Sequence, residues 1–144
     1  GMFGTNKIHS MRRVMGIRIV RLGSDRKENE GVRIGTVRRP PRGVAKENFS
    51  SQNWYDVWYP ALAPSVETMQ LGQRAEDDAA WQTFEKHYRR EMKETGPART
   101  LELLAKLSQT AHFSMGCYCE NEARCHRSIL RSLLSEQGAQ FAPD

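Results

Sequence analysis

Residues 117–128 concentrate the side chains of this chain that could do chemistry. All three cysteines (Cys117, Cys119, Cys125), one of the four histidines (His126) and two arginines (Arg124, Arg127) fall within twelve positions. A thiolate is a nucleophile, a redox centre or a metal ligand, and neighbouring cations or a helix N-terminus favour its formation. Guanidinium forks and free helix N–H groups hold anions. An apolar run over 111–118 leads into the cluster and a leucine-rich helical pattern follows it, so the cysteines sit where a strand feeds a helix. Parallel α/β proteins place ligands at such junctions.

Alternation puts Phe113, Met115, Cys117 and Cys119 on one face of that strand. Cys117 follows two core-type residues and reads equally well as a small buried hydrophobe. Cys119, further out, is the better candidate for an active thiol. Arg124, Arg127 and Arg131 follow at i, i+3 and i+7, where three cations oppose the helix macrodipole. Glu120 and Glu122 offer ordinary compensation, and a bound anion a sharper one that would also lower the pKa of Cys119 or Cys125. Cys119 and Cys125 are thus candidate catalytic residues, with His126 as thiol partner. Arg124, Arg127 and Ser128 are candidate ligand-binding residues.

Spacing tests two further readings. A cysteine-phosphatase loop needs an arginine six residues after its nucleophile, but those positions hold Ala123 and Cys125, so that reading fails. A structural zinc site could draw on Cys117, Cys119, Cys125 and His126, the right ligand types, yet Cys-x-Cys on a strand with Cys-His on a helix is an unusual arrangement. It stays a weak alternative.

The elements that must position this cluster are legible in part. Residues 16–22 and 32–37 alternate and are β-branched, so they are expected strands, each with arginines on a wet face or edge. Residues 38–43 carry three arginines around two prolines on a stiff loop. Residues 44–76 read as an irregular insert with a short helix after Ala63-Pro64-Ser65. Trp54, Tyr55, Trp58 and Tyr59 could stack on a base or pack on the core. Trp81, Phe84, Tyr88 and Met92 form one helical stripe capped by Asp77 or Asp78, with Gly96-Pro97 expected to stop it. Helices are expected over 98–110 and 122–137, and residues 1–15 look frayed. The expected fold is a single small α/β domain over 1–144, a largely parallel central sheet flanked by helices.

Composition narrows the class. The chain has 144 residues, 38% hydrophobic and 27% charged, and a net charge of +5. Residues 1–50 hold twelve Lys/Arg against four Asp/Glu, leaving ten against thirteen in the remainder, so the basic half could attract an anionic partner. No apolar run approaches the roughly 20 residues that span a membrane. Without a secretion-type apolar leader, the cysteines are expected as reduced thiols in a cytoplasmic protein.

Several blocks together resemble a known family. Val32-Arg33-Ile34, Arg38, then Pro41-Arg42-Gly43-Val44-Ala45-Lys46-Glu47 is similar to the signature of the YeaO-like family of uncharacterised proteins (domain of unknown function 488). Trp54, Ala63-Pro64-Ser65 and the block from Phe84 to Glu91 match its later blocks, and Cys119-Glu120 through Cys125-His126-Arg127-Ser128 is similar to the cysteine version of the C-terminal motif in the wider family. Val37 stands where the family usually has Asp, and Pro40 where it has Trp. The resemblance implies a compact α/β fold and a site joining Arg38 and Arg42 to the cysteine loop, and it supplies no reaction. The expectation is therefore a domain binding a small phosphorylated or nucleotide-like anion, held by Arg38, Arg42, Arg124 and Arg127, with thiol chemistry left open and no cofactor required. A nucleic-acid-binding module and a zinc-stabilised interaction domain are the alternatives.

Overall fold

A computed structural model gives the structure of the protein and describes residues 15–143. The expected frayed start therefore lies almost wholly outside the described residues. Four strands, β1 (Gly16–Arg21), β2 (Val32–Gly35), β3 (Val57–Trp58) and β4 (His112–Cys117), form one sheet in the order β1-β4-β2-β3. Every neighbouring pair is parallel. Among the described residues, four α-helices pack with it: α1 (Val66–Arg74), α2 (Asp78–Glu91), α3 (Thr95–Leu107) and α4 (His126–Glu136).

The registers Ile17↔Phe113, Ile19↔Met115 and Ile34↔Met115 line up apolar side chains on one face of the sheet. Phe84, Tyr88 and Met92 of the α2 stripe, Leu101 and Leu104 of α3, and Ile129, Leu130 and Leu134 of α4 close over them as one core. Tyr88 is fully buried, and its hydroxyl donates to the Leu62 carbonyl at 2.5 Å. Of the two expected caps, Asp77 starts α2 by accepting from the Ala80 N–H, and the short helix expected after Ala63-Pro64-Ser65 is α1, capped by Ser65.

Four expectations need correction. Gly96-Pro97 does not stop a helix: α2 ends at Glu91, and these residues lie in the first turn of α3, where proline loses no bond the helix would have made. The last helix begins at His126, after a separate 3-10 turn over Glu122–Arg124. The segment over 44–76 also contributes an edge strand, β3, that alternation could not show in two exposed residues.

The fourth concerns the strand arginines. Arg33 faces no solvent at all; it is 0% exposed, on the sheet face opposite the helices. Its guanidinium clasps Glu30 through Nε (2.8 Å) and a terminal nitrogen (3.0 Å), and donates to the carbonyls of Ser24 and Asn53. Ser114 donates its hydroxyl to the same carboxylate. The loops over 23–31 and 49–56 thus seal this face around a satisfied ion pair. The Arg33 N–H also donates to Asp56, which Arg26 grips with both terminal nitrogens at 2.9 Å.

Burial alone would raise the pKa of Glu30, Asp56 and Glu91, but hydrogen bonds from Arg33 and Ser114, from Arg26 and Ser50, and from Ser65 and Thr68 respectively leave all three below their ordinary values. A carboxylate depressed in the folded state stabilises it above the unfolded pKa, and this is lost as pH falls through the folded value. Urea midpoints are therefore expected to hold above about pH 5 and to fall steadily below about pH 4.5. An unchanged midpoint at about pH 3 would contradict these networks.

Candidate functional site

β4 is the inner strand whose C-terminal end opens the site. Its last residue, Cys117, is 1% exposed. The chain then turns out through Tyr118, Cys119 and Glu120, and Asn121 caps the 3-10 turn by accepting the Ala123 N–H at 3.0 Å. Cys125 follows in extended conformation (φ −136°, ψ 152°) as N-cap of α4, with no side-chain capping bond. Ser128 turns its hydroxyl back to the Cys125 carbonyl. The N–H groups of His126 and Arg127 find no backbone acceptor among the described residues, as expected for the open end of a helix.

The loop brings Cys117 and Cys125 together. Their Sγ atoms touch, although their Cα atoms stand 7.9 Å apart. Disulfides ordinarily span about 4.4–6.8 Å between Cα atoms, so the backbone is wider here than a relaxed bridge requires. His126 reaches the same point, with Nδ1 3.8 Å from the Cys125 sulfur. Its Nε2 lies 2.7 Å from the Thr36 carbonyl. A carbonyl can only accept, so Nε2 carries the proton and Nδ1 presents its lone pair to the cysteines. Burial above all, with the nearby Arg127 charge, pushes the His126 pKa down to about 4 despite the Thr36 bond, keeping the ring neutral.

Arg127 is buried, at 4% exposed, and donates to the Cys119 carbonyl at 2.5 Å. Its Nε is also buried and has no hydrogen-bond partner among the described residues. Burial lowers its pKa, and the charges of Arg21 and Arg131 push the same way against Glu122 and Cys119. An arginine nevertheless stays charged at neutral pH. The arrangement is a desolvated cation with an unused donor in the first turn of a helix whose N–H groups are also unused. Cys119 is exposed, yet burial around its thiol outweighs Arg127 and leaves the pKa above its ordinary value. The expected fall in its pKa is therefore not met.

The other site candidates have different placements. Arg38 donates to the carbonyls of Pro60, Ala63 and Pro64. It ties the proline loop to the start of α1, where Glu91 in turn accepts from Ser65 and Thr68. Arg42 lies exposed on the loop. Arg124 pairs with Asp78 at 2.6 Å and lies over the Trp81 ring. The structure therefore brings Cys117, Cys125, His126 and Arg127 together, while Arg38 and Arg124 are engaged elsewhere. The aromatic segment is mostly consumed by packing: Tyr55 is buried, Trp54 meets Tyr118 edge-on and Tyr59 bonds Thr100.

Sequence reasoning missed three contributors. Thr36 holds His126 through its carbonyl and Gly116 through its hydroxyl. Arg21 reaches over the loop to the Tyr118 carbonyl and Glu120. Tyr55 packs with Cys117 and Cys125, and its buried hydroxyl has no partner among the described residues. A polar residue ending an apolar strand was the one available signal for Thr36.

Among the described residues, no helix is long and apolar enough to cross a membrane. No curated protein and no solved structure matches the chain. A family model, DUF488-N3a, described as the active DUF488-N3 subclade, matches residues 17–138, from the first residues of β1 to just beyond α4. With the YeaO-like blocks in order along the same span, the chain belongs to the DUF488-N3 subclade.

Proposed function

We propose that the β4–α4 junction binds a small phosphorylated or nucleotide-like anion, and that Cys119 carries out thiol chemistry beside it. The observation that carries this reading is the buried Arg127 guanidinium with its unpartnered Nε. A desolvated, under-satisfied cation costs stability; a ligand that accepts from Nε and from the open N–H groups of α4 removes that cost. Cys119 lends its carbonyl to Arg127, so its thiol lies close to any anion held there. The subclade's description as active supports a chemical role. A reducing, cytoplasmic setting suits a free thiol.

The ligand set narrows to Arg127, Ser128 and the helix N–H groups, with Arg21 as a further cation at the rim. Inorganic phosphate at about ten times its dissociation constant is expected to stabilise the protein by about 1.4 kcal/mol, roughly 3–5 °C in melting temperature. A nucleoside monophosphate should do so at lower concentration. No shift at millimolar concentrations of either, relative to chloride at equal ionic strength, would refute the anion site.

A further inference from the structure

We propose that Cys117, Cys125 and His126 form a binding site for a thiophilic divalent cation, zinc foremost, in the core beneath the N-terminus of α4. The two sulfurs and a ring nitrogen all lie within 4.8 Å of one another. All three residues are buried, at 1%, 2% and 9% exposure. Two thiolates and one imidazole are a recurrent zinc donor set, and three protein ligands leave a fourth position open.

Two observations favour a ligand set over a disulfide. The 7.9 Å between the Cα atoms is wide for a disulfide, whereas thiolates sharing a metal stand further apart. The histidine is oriented as a ligand: Nε2–H donates to the Thr36 carbonyl at 2.7 Å, leaving Nδ1 toward the sulfurs. This is the outer hydrogen bond that metal-bound histidines ordinarily make. Charge favours a divalent ion. Leu22, Val37 and Tyr55 surround the sulfurs, and two thiolates with one divalent cation are neutral overall, which an apolar setting requires. Binding converts two thiols to thiolates and releases two protons. The exposed Cys119 takes no part.

The test uses the full chain, reduced, freed of metal and titrated with zinc, and with cobalt(II) as a spectroscopic probe. The expected result is one metal per chain and thiolate-to-cobalt charge-transfer absorption. Cys125→Ser and His126→Gln should each weaken zinc binding by more than about 100-fold, beyond the loss that removing an outer partner causes. Gln places an amide where Nε2 meets Thr36 while removing the Nδ1 ligand, so His126→Gln tests ligation in a chain that keeps its fold. Cys119→Ser and Arg127→Met should bind metal as the parent does, separating this site from the anion site. Absence of metal binding by the reduced chain, a linked Cys117–Cys125 pair that excludes cobalt, or equal loss in Cys119→Ser would each overturn the assignment.

Discussion

Glu30→Ala is expected to cost about 3–5 kcal/mol of folding stability, the usual result of stranding one partner of a buried ion pair. Arg33 would keep its charge at 0% exposure, with only the Ser24 and Asn53 carbonyls left to solvate it. Ser114 would lose its acceptor in the central part of β4 as well. The double variant Glu30→Leu/Arg33→Met should recover most of the loss, because removing both charges removes the desolvation penalty. Urea unfolding of the two variants checks this. A cost below about 1 kcal/mol for Glu30→Ala would place the pair in an environment as wet as the surface.

Arg127→Met is expected to move stability and binding in opposite directions. The parent residue holds a buried charge whose Nε is unsatisfied, flanked by the like charges of Arg21 and Arg131. An apolar side chain of similar length removes those penalties and forfeits one bond to the Cys119 carbonyl. The variant should be neutral to about 1–2 kcal/mol more stable, while phosphate affinity falls by about 10–100-fold with the loss of a charge-assisted bond. Such opposition marks a residue retained for function at the expense of stability. A variant that loses stability and keeps phosphate affinity would make Arg127 a scaffold residue. Thermal melts with phosphate and direct titration separate the two outcomes.

Much of the fold was legible because its signals are local. The β-branched run of β1, the stripe from Trp81 to Met92 and the change of period after residue 118 each depend on neighbours in sequence, and each element forms close to where the pattern places it. What stayed hidden depends on distant partners. Arg33 reads as a wet strand residue until Glu30 and two loop carbonyls close around it. Arg38 reads as a ligand donor until the carbonyls of residues 60–64 take up its guanidinium. Proline and glycine mislead at 96–97 because the same residues that end one helix also suit the first turn of the next.

The candidate site was legible as a stretch but not as an arrangement. Clustered cysteines before a helix mark the junction, while the meeting of Cys117 with Cys125 requires the intervening loop to fold back. No spacing rule supplies that return. The same loop leaves Cys119 outside with its thiol pKa raised, where alternation and the cation excess suggested a thiolate.

The anion site and the thiol must be one place for the account to hold. The most direct measurement is the alkylation rate of Cys119, followed by mass spectrometry at neutral pH with and without phosphate, in the parent and in Arg127→Met. The account predicts that phosphate changes the Cys119 rate in the parent and leaves it unchanged in the variant. Equal rates with and without phosphate in the parent, at a concentration that raises its melting temperature, would put the anion elsewhere and contradict it.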